Sequence, residues 1–166
     1  MNDGFVIEPL GAQDRSAFSC GAAALDRYVR EQASQDVKRL VASCFLLSEA
    51  ATGAVAGYYT LAATSVPASD LPMELLKRLP RYPILPAALV GRLAVDQRFQ
   101  NRGLGGVLLA DAALRVLRSD MKAMALIVDA KDEAAVGFYR RQGFVPFASR
   151  AQSLFLPLAT FKKANV

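Results

Sequence analysis

At 166 residues the chain is long enough for one domain with a real core and short for two. Hydrophobic residues make up 53 % and charged residues 21 %, which excludes a disordered chain, and no apolar stretch reaches the roughly 18 residues of a membrane span. The net charge of +5 admits a polyanionic partner or a multiply phosphorylated coenzyme without demanding either.

Histidine is absent, and Cys20 and Cys44 are the only cysteines. Two thiols without imidazole do not make a usual zinc site, and their spacing fits no redox motif. Ser-His-Asp and Cys-His nucleophile pairs are equally excluded. Asp3 and Glu8 stand where a secretory signal would carry positive charge and then an apolar run, so a cytoplasmic location without a membrane segment is expected.

Alternation predicts a first strand over Phe5–Leu10. Gly21 precedes a predicted helix over Ala22–Gln35, with Leu25, Tyr28, Val29 and Ala33 at helical spacing. Ser43–Glu49 and Val55–Ser65 read as a hairpin about the turn Ala51–Gly53, and Gly57 inside its second strand predicts a bulge or a close backbone approach. Pro67, Pro72, Pro80, Pro83 and Pro86 crowd the middle of the chain. One short helix over Ser69–Leu79 is expected there, and proline argues against a central strand between Pro80 and Pro86. Ala88–Val95 reads as a buried strand, then a glycine-rich loop, then a helix over Gly103–Arg118 whose apolar face is Leu104, Val107, Leu108, Leu114 and Leu117. Ala125–Asp129 is another buried strand, Glu133–Gln142 a helix stopped by Gly143, and Phe144–Phe147 and Gln152–Leu156 late strands.

The loop Gln100-Asn101-Arg102-Gly103-Leu104-Gly105-Gly106 lies between a strand and a long helix. The first amides of a helix have no internal partner, and the dipole adds positive character there. Glycines let an anion reach that backbone, so the segment reads as a pyrophosphate cradle. It is not a dinucleotide fingerprint, because Leu108 stands where the third glycine belongs. Nor is it a nucleotide P-loop, because Val107 and Leu108 follow Gly106 in place of Lys and Ser or Thr.

The spacing of Gln100, Gly103 and Gly105 resembles the Gln/Arg-x-x-Gly-x-Gly/Ala loop of the GNAT acetyltransferase superfamily. Further on, Ala135, Tyr139, Gly143 and Phe144 match its Asn-x-x-Ala-x-x-x-Tyr and Gly-Phe pattern, with Asp132 in place of the usual Asn. The resemblance implies an α/β GNAT fold in a single domain over 1–166. Its central sheet would be mixed and mostly antiparallel, with about six or seven strands flanked by about four helices. It implies acetyl-coenzyme A (acetyl-CoA) as co-substrate, with no metal. Leu93, Ala94 and Val95 would pair with its pantetheine arm, and Gln100, Asn101, Arg102, Gly103, Leu104, Gly105 and Gly106 would hold its pyrophosphate. Asp132 and Phe138 would lie along the coenzyme, and Tyr139 beside the thioester sulfur as the catalytic residue. A reference phenol is a weaker acid than a thiol of pKa about 8.5, so full proton transfer to the thiolate costs about 2 kcal/mol. A hydrogen bond to the developing thiolate, or a lowered tyrosine pKa, is the expected contribution.

Longer strings extend the resemblance over nearly the whole chain to the GNAT toxins of bacterial type II toxin–antitoxin systems. They include Cys20-Gly21, Leu25-Asp26, Gly57-Tyr58-Tyr59-Thr60-Leu61, Leu79-Pro80-Arg81-Tyr82-Pro83 and Gly91-Arg92-Leu93-Ala94-Val95. That branch implies acetylation of the α-amine of aminoacyl-tRNA, a block of translation, a homodimer and a ribbon-helix-helix antitoxin. An α-amine near pKa 7.7–8 is substantially neutral at pH 7–8, whereas a lysine needs a base, so the lack of histidine suits an α-amino acceptor. Glu8, Glu49 or a water chain remain candidate bases. Arg78 and Arg81, beside Lys77, and Arg92, in a strand that should be largely buried, are the candidate tRNA contacts. The alternatives are an acetyltransferase of a small amine, such as a polyamine or antibiotic, and a non-catalytic coenzyme A-binding regulator.

Overall fold

The computed structural model describes residues 4–150 and 152–165. Seven strands form one sheet in the order β1-β2-β3-β4-β5-β7-β6, mostly antiparallel, the mixed α/β architecture expected. Two compact units divide the chain: one runs to Ala62 and includes Gly91–Ala112, the other holds Ala63–Val90 and the chain from Ala113 onward.

In the first unit, β1 (Phe5–Pro9) pairs antiparallel with β2 (Ser43–Glu49), Phe5 opposite Glu49 and Pro9 opposite Phe45. β2 pairs in turn with β3 (Val55–Pro67), and the register slips between Leu47 and Ser48, opposite Gly57 and Val55. Both expectations for Gly57 are met at once. A Cβ there would lie 3.0 Å from the Ala94 carbonyl oxygen and 3.1 Å from Leu108 Cδ1, so only glycine admits this approach.

The first helix begins as α1 (Ala23–Arg27), widens into one π-helical turn over Tyr28–Gln32, and resumes as α2 (Ala33–Lys38). Ala33 N–H reaches back five residues to the Tyr28 carbonyl, the step that defines the wider turn. The apolar spacing read as one helix is therefore interrupted, and it continues past Gln35. Tyr28, Val29 and Ala33 still pack with Phe18, Leu46 and Tyr58 as the core of this unit. Burial of each large side chain stabilises by about 1.5–3 kcal/mol before entropy is counted.

In the second unit, β4 (Ile84–Val95) enters parallel to β5 (Ala125–Asp129), with Ala88 opposite Leu126. β5 pairs antiparallel with β7 (Ser153–Pro157), and β7 with the short β6 (Val145–Pro146). Leu85, Ala87, Ile127, Phe147 and Phe155 pack with Val66 as its core.

The proline-rich segment departs from expectation twice. The single helix over Ser69–Leu79 is a 3₁₀ turn (Ala68–Asp70) followed by α3 (Met73–Leu76), because Pro72 fixes extended backbone between them, with φ −62° and ψ 147°. The strand also starts at Ile84, not Ala88, and takes in Pro86. Proline lacks only the N–H, and the Pro86 carbonyl accepts the Met124 N–H at 2.9 Å.

The helix after the glycine loop is α4 (Leu104–Arg118). Leu104, Leu108, Leu109, Ala112, Ala113 and Val116 are its buried residues, whereas Val107, Leu114 and Leu117 are half-buried. The buried face is thus carried partly by alanines that a search for large side chains passes over. α5 (Glu133–Arg141) follows β5, and a further helix, α6 (Leu158–Asn165), ends the described chain without having been anticipated. Among the described residues no helix is long and apolar enough to cross a membrane.

Candidate active site

At the end of β4 the chain makes a 3₁₀ turn, Gln97–Phe99, capped by Asp96. This carboxylate is 1 % exposed and accepts from Arg98 N–H and Nε, both at 2.9 Å, from Arg98 Nη2 at 3.1 Å, and from Ser19 N–H at 3.0 Å. Burial alone would raise the Asp96 pKa. The bonds from the Arg98 side chain and the two backbone amides outweigh it and hold the carboxyl below its ordinary value. Gln97 N–H completes the tie to the Ser19 carbonyl at 2.8 Å.

The side chain of Gln100 turns back into the protein. Its Nε2 donates to Val95 O at 2.9 Å and to Cys20 O at 3.0 Å, so it fastens the loop to the strand before it and to the segment that precedes α1. Asn101 and Gly103 adopt left-handed backbone, φ 64° and 75°. Arg102 stands 5.3 Å from the Phe5 ring centroid and 5.6 Å from that of Phe99. Leu104 is buried and anchors the start of α4, while Gly105 and Gly106 are half-buried just inside it. Val107 N–H reaches Gly103 O at 3.3 Å, so the amides of 104–106 come before the intrahelical ladder. A Cβ on Gly103 would meet nothing within 4 Å. The loop therefore offers open space against left-handed backbone at a helix start, which fits a pyrophosphate. Of the three preceding residues, Ala94 is buried and Leu93 and Val95 are half-buried.

Arg92 is half-buried, and its backbone N–H donates to Thr60 Oγ1 at 3.0 Å. Its guanidinium carbon lies 3.6 Å from the centroid of the Tyr28 ring, and the Tyr28 hydroxyl donates to Asp36 Oδ2 at 2.8 Å. Around them opens a cleft of about 440 Å³, lined by Ala24, Leu25, Arg27, Tyr28, Glu31, Gln32 and Arg92. Sequence reasoning singled out Arg92 but missed Tyr28 and Asp36. In the chain Tyr28 reads as one more apolar residue of a helix, and in the fold it opens the π turn with its ring against the arginine. Of the candidate bases, Glu8 is exposed, and Glu49 accepts the Thr52 hydroxyl at 2.7 Å beside the β2–β3 turn.

In the second unit, Asp132 has extended backbone and caps α5, its carboxylate accepting Ala135 N–H at 2.8 Å. Tyr139 sits two turns on, 7 % exposed, with ring centroids of Phe138 and Phe144 at 5.3 and 5.6 Å. Gly143, at φ 99°, ends the helix, and Phe144 N–H bonds back to the Tyr139 carbonyl at 3.1 Å. The Gly-Phe pair thus folds the chain back onto the tyrosine ring. Burial, assisted by the Asp129 carboxylate, pushes the Tyr139 hydroxyl up to about 12. The hydroxyl is therefore protonated at neutral pH. Arg78 and Arg81 are exposed after α3, and Arg81 lines a second cleft, about 540 Å³, with Met73, Leu76, Lys77 and Tyr82.

Residues 86–164 match the acetyltransferase (GNAT) domain family. A tRNA-acetylating toxin of Mycobacterium tuberculosis is 36 % identical over 130 residues, 77 % of this chain and 76 % of its own. A probable toxin TacT of Sinorhizobium fredii is 29 % identical over 168 residues, 95 % of this chain and 93 % of its own. Among solved structures, AtaT complexed with acetyl-methionyl-tRNAfMet superposes with a TM-score of 0.88 at 28 % identity, covering 98 % of this chain and 99 % of that one. A phenylalanine-for-tyrosine variant of AtaT, bound to the C-terminus of the antitoxin AtaR and to acetyl-CoA, superposes with a TM-score of 0.82 at 25 % identity, covering 98 % of each chain.

Proposed function

Because the chain belongs to the GNAT acetyltransferase family, in the branch of tRNA-acetylating toxins, we propose that it acetylates the α-amino group of an aminoacyl-tRNA and so blocks translation. The observation that carries this reading is the loop from Gln100 to Gly106. Open space at Gly103, left-handed backbone, and a side chain spent on holding the loop suit it to the pyrophosphate of acetyl-CoA.

Acetyl-CoA supplies the acetyl group as an activated thioester. The amides of 104–106 would bind its pyrophosphate, with Arg102 adding positive charge beside them, and the Leu93–Val95 backbone would offer pairing groups to the pantetheine amides. Tyr139 remains a neutral phenol across the physiological range and would serve as a hydrogen-bond donor to the thioester sulfur of the bound coenzyme. Its Phe138 and Phe144 neighbours pack against the ring and hold it in place. Asp132 acts through the start of α5, which it caps. With no imidazole in the chain, an acceptor amine that is already partly neutral near pH 8 lets attack proceed without a strong protein base.

β3, β4 and α4 each run through both units, which supports residues 1–166 acting as one domain. A ribbon-helix-helix antitoxin, a homodimer and a cytoplasmic site of action complete the proposal. Arg78 and Arg81, exposed beside Lys77, are its contacts to tRNA phosphates.

The test incubates the purified protein with labelled acetyl-CoA and a total charged tRNA pool, then identifies acetylated aminoacyl-adenosine after nuclease digestion. Label on one or a few α-amines is expected. Efficient transfer to spermidine or aminoglycosides, with none to charged tRNA, would overturn the reading.

A further inference from the structure

The cleft on the first helix has three features that acetyl-CoA binding does not use. Its floor is a π turn, a rare local widening that frequently accompanies functional sites. Its one strand-borne cation, Arg92, has its guanidinium carbon over the Tyr28 ring, 3.6 Å from the centroid. The carboxylate of Asp36 then fixes two of the lining side chains together, accepting the Tyr28 hydroxyl at 2.8 Å and Gln32 Nε2 at 3.1 Å. Those two bonds, the tyrosine's first, hold the Asp36 carboxyl below its ordinary value, as expected of an anion used as a fixed acceptor.

A guanidinium stacked on a ring keeps its N–H edges in the plane, the geometry in which arginine forks onto a phosphate. Arg27 lies on the same cleft, with Glu31 as the single acid of its lining. Two cations and one anion match a phosphodiester that has an amino group close by better than they match a bare polyphosphate. The volume, about 440 Å³, suits a fragment of nucleotide size.

We infer that this cleft binds the phosphodiester at the aminoacylated end of the acceptor, with Arg92 as the contacting residue and Tyr28 and Asp36 as positioning residues that hold its guanidinium in place. The inference rests on the aminoacyl-tRNA reading above. A phosphate could also come from the 3′-phosphate of the coenzyme, so the test separates the two sources.

The experiment measures kcat/KM for a total charged tRNA pool across a salt series, for wild type, Arg92→Gln, Arg92→Lys, Tyr28→Phe and Asp36→Asn. Parallel assays use aminoacyl methyl esters, which carry the α-amine and no phosphate, and dephospho-acetyl-CoA as donor. Arg92→Gln is expected to lose at least about tenfold more on tRNA than on the esters, and to reduce the log–log salt slope by about 1. Arg92→Lys keeps the charge and should recover the slope while losing part of the affinity. Tyr28→Phe keeps the ring and loses only the hydroxyl bond. Both it and Asp36→Asn should raise KM for tRNA about three- to tenfold with kcat little changed. Those last two variants keep the proposal testable if Arg92→Gln fails to fold. Equal losses on tRNA and ester, or a wild-type salt slope in Arg92→Gln, overturn it. So does an Arg92 effect that disappears with dephospho-acetyl-CoA, because the phosphate would then be the coenzyme's. If wild type acetylates no tRNA, the aminoacyl-tRNA reading itself fails, and this inference with it.

Discussion

Asp96 holds Ser19 across 77 residues of chain: the aspartate carboxylate accepts the serine backbone N–H at 3.0 Å while gripping Arg98 in the turn that leads into the glycine loop. The segment before α1 is thereby bolted to the glycine loop, with Gln100 as a second bolt through the Cys20 carbonyl. Asp26, 7 % exposed, secures the same segment from its other side by accepting Cys20 N–H at 2.8 Å.

Removing the Asp96 carboxylate leaves the Ser19 amide and the Arg98 guanidinium without their acceptor. Asp96→Ala should destabilise the fold by about 2–4 kcal/mol, read from urea midpoints at pH 7. The folded carboxyl titrates below its unfolded value. Its contribution is therefore present above the unfolded pKa of about 3.9 and is lost as pH falls through the lower folded one. Asp96→Asn should flatten the acid limb of the stability curve, and a limb as steep as wild type would show that the carboxylate is not what titrates there.

Gly57 sets the approach of β3 to the end of β4 and to α4. Gly57→Ala puts a methyl group 3.0 Å from the Ala94 carbonyl oxygen and 3.1 Å from Leu108 Cδ1. Backbone oxygen gives way less readily than the leucine tip, so a loss of about 1–3 kcal/mol is expected in thermal or urea unfolding. An unchanged midpoint would mean that the two strands move apart at little cost.

Gly103 and Gly53 provide a matched pair for the loop. Both have left-handed backbone, φ 75° and 76°, and neither would bring an added Cβ within 4 Å of another atom. Alanine at either position should cost about 1 kcal/mol of stability through backbone strain alone. Only Gly103→Ala should also raise KM for acetyl-CoA, by about tenfold or more, because its Cβ would enter the space proposed for the pyrophosphate. Equal KM values in the two variants would remove the loop from the binding site.

The elements that rest on periodicity and punctuation were legible in the chain. β2 was read residue for residue, and Gly57, Gly103 and Gly143 stand where their backbone demands them. The losses have physical causes. A π turn adds one residue without altering the apolar spacing enough to be noticed, and the seat of Arg92 on Tyr28 joins residues far apart in the chain that no local pattern links. Pro86 continues β4 through its carbonyl, which a rule based on the missing N–H overlooks. Gln100 marks the loop by its spacing, but that its amide donates to Val95 and Cys20 is a matter of side-chain direction, which residue type does not carry.

Tyr139 makes the prediction that bears most directly on chemistry. Tyr139→Phe keeps the ring among Phe138 and Phe144 and removes only the hydroxyl, so the packing of α5 should survive. Loss of a hydrogen bond that strengthens as charge builds on sulfur should lower kcat by about 10²–10³ while KM for acetyl-CoA stays within about twofold. Unaltered kcat, with acetyl-CoA still bound, would take the hydroxyl out of the mechanism. The same variant carries an alkaline signature of opposite sense to that of Asp96. The folded phenol titrates at about 12, above an unfolded value near 10, so its contribution to stability is complete below about pH 10 and is lost as pH rises through 12. Wild type should lose stability over that window more steeply than Tyr139→Phe. Its kcat, in turn, should show no fall from tyrosine ionisation until well above pH 10, since the donor stays protonated throughout.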